Sequence, residues 1–243
     1  MSDKINKKVV KDSTGSDKNK ELDKSKELDK SKELDKSKEL GTLTESFDQL
    51  EIKQTPGGAN TNKHGLSFED NTSLWQLYTI LNDDMQYGTL IKFDDDKDSR
   101  KYVTLYKDDF LKYMENHIDK SIDNAHGCKE PDESFVNKKL KIVFIIEKKY
   151  QIKKGSTSEK IQTGAFKKWQ YSRLLPEFKV HYMYCLSELF KKEKESKPVI
   201  EYLLENGINV FWGDDSDCKE KIIKYILEKT EEREKELKSN QST

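Results

Sequence analysis

The strongest β signal in the chain is Leu140-Lys-Ile-Val-Phe-Ile-Ile146, where after Lys141 the odd and even positions are both apolar. A strand with apolar side chains on both faces belongs inside a sheet that is covered on both sides. Thr89–Phe93 and Tyr102–Tyr106 read as two shorter strands joined by the acidic turn Asp94-Asp95-Asp96-Lys97-Asp98. Phe178–Leu186 and Ile208–Trp212 complete the strand set. Elsewhere the apolar spacing is helical. Leu74, Leu77, Tyr78 and Leu81 follow the capping-box spacing of Ser67-Phe-Glu-Asp70 and predict a helix over 68–82. Phe110, Leu111, Met114 and Ile118 predict a second. Further helices are expected over 158–174, over 190–205 up to Asn206-Gly207, and over 217–229. This alternation predicts an α/β domain, a mixed central sheet flanked by helices.

Both ends lose the pattern. From Lys20 to Leu40 the hexapeptide Lys-Glu-Leu-Asp-Lys-Ser repeats in tandem. Its leucines recur every six residues, so on a helix they scatter around the axis and make no coiled-coil seam. Residues 1–59 are therefore expected to be a disordered charged tail, closed by the break Pro56-Gly57-Gly58. The domain is expected over 60–230, and 231–243 is expected to be a charged C-terminal tail.

Composition narrows the function classes. Of 243 residues, 37% are charged and 33% hydrophobic, and no apolar run approaches the roughly 18 residues a membrane helix needs. The start lacks the apolar core of a secretory signal, so a cytoplasmic protein without membrane attachment is expected. Cys128, Cys185 and Cys218 are scattered and form no CxxC pair, which disfavours a disulfide framework or a structural zinc site. There is no GxxxxGK[ST] loop, no GxSxG elbow and no HExxH pair, so nucleotide hydrolysis, serine hydrolase and zinc chemistry have no support.

The chemistry gathers at the end of the apolar strand. Alternation puts Glu147 and Lys149 on one face and Lys148 on the other. Pro131-Asp132 lies in the turn leading toward that strand, so Asp132 converges with Glu147 and Lys149 if it lies on an adjacent strand or at its tip. Two carboxylates make a hard oxygen site for Mg²⁺, which keeps several waters and shares phosphate oxygens. A lysine beside them can orient or activate an attacking water and oppose charge building on phosphorus.

Pro131-Asp132 followed by Glu147-Lys148-Lys149 resembles the signature of the PD-(D/E)xK nuclease superfamily, and the sequence onward to Gln162 resembles bacterial type II restriction endonucleases. The resemblance spans roughly residues 62–215. It implies a restriction-endonuclease-like fold, with Asp132 and Glu147 as Mg²⁺ ligands and Lys149 acting on the water. It also implies an acidic residue from the first core helix, for which Glu69 is the match, and an assisting role for Gln162.

Between Lys138 and Lys179 twelve basic residues face three acidic ones, a net of +9 in a chain whose overall charge is −1. Such asymmetry suits a polyanion held through its phosphates. Lys153, Lys154, Lys160, Lys167 and Lys168 are the candidate DNA contacts. The expected function is thus Mg²⁺-dependent hydrolysis of double-stranded DNA at a specific sequence. A structure-specific repair or recombination nuclease on the same fold and a non-catalytic DNA-binding module are the alternatives. A homodimer would serve cleavage of both strands of a symmetric site.

Overall fold

In a computed structural model of the chain, residues 57–120, 122, 130–152 and 157–240 are described. The hexapeptide repeat, Lys153 and Lys154 lie outside them. Seven strands form one sheet whose spatial order follows the chain: β1 (Tyr78–Asn82), β2 (Thr89–Phe93), β3 (Tyr102–Leu105), β4 (Glu133–Asn137), β5 (Ile142–Lys149), β6 (Lys179–Leu186) and β7 (Asn209–Trp212). From β1 to β5 every pairing is antiparallel, and β5–β6–β7 are parallel. The sheet is therefore mixed, and its sense changes at β5.

The helices are α1 (Gly57–Asn71), α2 (Asp109–His117), α3 (Thr157–Ile161), α4 (Gly164–Leu174), α5 (Glu188–Lys192), α6 (Lys197–Glu205) and α7 (Cys218–Asn240). They divide by sheet face, following the alternation of β5. Val143 and Ile145 pack into one core with Phe110 and Met114 of α2, Tyr171 of α4 and Leu203 of α6. Ile142, Phe144 and Ile146 pack into the other with Phe68 of α1 and Ile222, Ile223 and Ile226 of α7. Both faces of the sheet are covered, as the continuous apolar run requires.

Several elements differ from the sequence pattern. The helix expected over 68–82 ends at Asn71, and the helically spaced Tyr78 and Leu81 lie in β1. The Leu74 amide donates to Glu133 Oε1 (3.2 Å), not to a helical carbonyl, and Tyr78, Thr79 and Ile80 pair with β2. The Ser67–Asp70 spacing thus lies within α1, which begins at Gly57 in the segment expected as a break. Strand β4 carries no clear signal because Glu133, Ser134 and Asn137 are polar, yet all five residues are buried. Their partners are inside the protein: Ser134 donates to Leu105 O, and Asn137 accepts from the Leu140 amide. The helix expected over 158–174 is broken at Gln162-Thr163. The one expected over 190–205 is interrupted at Glu193, and Pro198 sits in the first turn of α6.

The last helix runs to Asn240, well past 229, through residues expected as tail. Arg233 Nε donates to Leu140 O (3.1 Å), and Glu234 pairs with Arg100 (3.3 Å). Leu237 joins the core on that face. Arg100 is itself held by the buried Asp96 (3.0 Å), so the acidic 94–98 turn is built around this arginine. Among the described residues, no helix is long and apolar enough to cross a membrane.

Candidate active site

The site is fixed by strand parity. On β5 Glu147 and Lys149 share the face of Ile145, and the same alternation puts Asp132, the residue before β4, on the side of Ser134 and Val136. Lys149 Nζ lies 2.8 Å from Glu147 Oε1 and 3.4 Å from Asp132 Oδ2, so both carboxylates converge on one ammonium. Asp132 Oδ2 also accepts the Lys148 backbone amide (2.7 Å), which ties the turn before β4 to the end of β5. These three residues line an open cleft of about 670 Å³ at the carboxyl end of β5, where the sheet changes sense.

Helix α4 closes one side of that cleft. A Cβ on Gly164 would come within 2.8 Å of Tyr184 and of Leu203, so only glycine lets the helix start this close to β6. One turn on, Lys167 Nζ reaches Glu147 Oε1 at 2.7 Å. Tyr184 is the register partner of Glu147 and is fully buried. Burial, and then the Glu147 charge, push its phenol well above the ordinary range. Burial also raises the Glu147 pKa, but the ammonium charges of Lys149 and Lys167 outweigh it and leave the carboxyl below its usual range. For Lys149 burial lowers the pKa, while Glu147 and Asp132 outweigh it and hold the amine above its usual range. Pairing thus keeps the buried Glu147 carboxylate and the partly buried Lys149 ammonium charged.

The opposite face holds a second polar group. Glu133 is 0% exposed and pairs with Lys148 Nζ at 2.8 Å. It also accepts from the Leu74 amide, and Lys148 Nζ donates to Glu69 O (3.0 Å). The side chain of Glu69 turns to Lys107 (3.5 Å). Glu69 is therefore not brought to Asp132 and Glu147: α1 packs on the far side of the sheet. Gln162 is exposed in the turn between α3 and α4 and does not line the cleft. Lys160 and Lys167 do line it, whereas Lys168 donates to Asn206 O and Gly207 O at the end of α6. Sequence reasoning missed Glu130, Phe166 and Gln170, which also line the cleft. The α4 positions carried a signal, since 166 and 170 are a helical turn apart and share the side of 167.

Among the described residues, no three acidic, histidine or cysteine side chains are grouped to enclose a metal ion. Two adjacent carboxylates are nevertheless the donor set that Mg²⁺ uses when waters and substrate phosphate complete its shell. Asp132 and Glu147 fit that mode and not an all-protein cage. Comparison of the chain with protein-family models, curated proteins and solved structures returns no match.

Proposed function

We propose that this protein is a Mg²⁺-dependent endonuclease that hydrolyses phosphodiester bonds of double-stranded DNA at a specific sequence, on a restriction-endonuclease-like fold. The observation that carries this is the meeting of Asp132 and Glu147 on Lys149 Nζ in an open cleft at the end of a buried strand. Asp132 and Glu147 would hold the ion, which when bound supplies Lewis-acid activation of the phosphate and of water. Lys149 donates hydrogen bonds into the cleft and opposes negative charge as it builds on the phosphate oxygens. Lys167 holds Glu147 in place from α4, and Lys160 offers a positive charge along the path of the backbone. The basic character of 138–179 supports the polyanion.

The test is digestion of a viral DNA of known sequence by the purified full chain. Discrete fragments are expected with Mg²⁺ and none with EDTA. A smear would contradict sequence specificity and turn the reading to a structure-specific nuclease. No cutting with Mg²⁺ or Mn²⁺ would contradict hydrolysis altogether.

A further inference from the structure

The outward side of α4 carries two large aromatic rings that the fold does not use. Phe166 is 58% exposed and Trp169 57%, and their rings stack on each other at 5.7 Å with an interplanar angle of 22°. A turn further along the same side lies the exposed Arg173. The pair sits at the edge of the Asp132–Glu147–Lys149 cleft, which Phe166 itself lines together with Gln170. Core packing does not explain it, because α4 already buries its inner side through Gly164 and Tyr171.

We infer that Phe166 and Trp169 form a stacking platform for an unpaired base of a single-stranded segment, next to the phosphate that enters the cleft. This rests on the nuclease reading and narrows its substrate. A nucleobase offers a flat π-face of the size of these rings, and stacking on an exposed aromatic tolerates any base. The amide of Gln170 can hydrogen-bond a base edge, and Lys160 and Arg173 can bind the flanking phosphates. A protein partner fits less well. The two rings are bordered on α4 by Lys167, Gln170 and Ser172, whereas the centre of a protein interface is depleted in lysine and serine and adds further apolar area.

The experiment compares the full chain with Phe166→Ala, Trp169→Ala and the double variant, all at exposed positions. Binding is read by fluorescence anisotropy in EDTA, with a labelled blunt duplex and with the same duplex carrying a single-stranded overhang. The double variant should bind the overhang duplex about tenfold or more weakly, with the blunt duplex changed less than about twofold. Equal loss on both probes, or no loss on either, would overturn the platform. So would a double variant that sediments as a smaller species than the wild type, which would make the stripe a contact between copies of the chain. Mg²⁺-dependent cleavage by wild type and Lys149→Ala, run in parallel, separates the two ideas. Cleavage that needs Lys149 without an overhang preference refutes only the platform. An overhang preference without cleavage supports the platform and refutes the nuclease.

Discussion

Lys148 and Lys149 are neighbours of one residue type, and the strand sends them to opposite sides of the sheet. Lys149 meets Asp132 and Glu147 in the open cleft, while Lys148 is sealed against Glu133 with its side chain 3% exposed. The split follows from a period of two, so it was legible in the sequence. The partner of Lys148 was not, because Glu133 stood in a polar stretch with no periodicity to mark it as buried. A buried pair is costly to break from one side. Lys148→Met should destabilise the protein by about 3–5 kcal/mol in denaturant unfolding, and adding Glu133→Gln should restore a good part of that loss. Additive losses would show that the two side chains do not act as a pair. His181 is a second buried titratable group. Desolvation comes first, followed by the charges of Lys179, Lys229 and Lys168, and together they depress its pKa to about 4 against the partial opposition of Glu232. Its Nδ1 sits 3.0 Å from the Tyr225 hydroxyl. Above about pH 7.5 the ring is neutral folded and unfolded, so there it contributes nothing to pH dependence. As pH falls from there toward 4, the unfolded chain takes the proton and the folded one does not, which removes up to about 3 kcal/mol of stability. His181→Phe should flatten that part of the stability–pH curve, and an unchanged curve would contradict the assignment.

At the scale of elements, apolar runs were legible and polar partnerships were not. The both-faces-apolar run gave β5, and β2, β3, β6 and β7 fell within a residue or so of their expected bounds. The helical spacing of Leu74 to Leu81 misled because Glu133, some sixty positions along the chain, accepts the Leu74 amide. The same blindness placed the end of α7 too early. Residues 231–240 have little apolar periodicity, but Arg233, Glu234 and Leu237 fasten them to Leu140, Arg100 and the core. Deleting residues 231–243 should therefore cost about 2 kcal/mol in unfolding experiments, from one partly buried leucine and a few half-buried polar contacts. Those contacts sit at the start of β5, away from the cleft, so DNA cleavage at a temperature well below the transition should be kept. Loss of cleavage with full stability would contradict this division.

Across the whole molecule, the sheet changes from antiparallel to parallel pairing at β5, and the acidic and basic residues of the cleft lie at that strand's carboxyl end. Open sheets with parallel strands place ligand sites outside those carboxyl ends, where the loops and crossover helix leave a crevice. The Asp132, Glu147 and Lys149 positions could be read from strand parity and a turn. The contribution of α4 could not, since it depends on how closely Gly164 lets that helix approach Tyr184. The most direct measurement is the rate of Mg²⁺-dependent plasmid cleavage by the wild type and by Lys149→Ala, after both are shown to be folded. Replacing the amine that joins the two carboxylates should slow cleavage by about 100- to 1000-fold. Equal rates would contradict a reaction centred on this cleft.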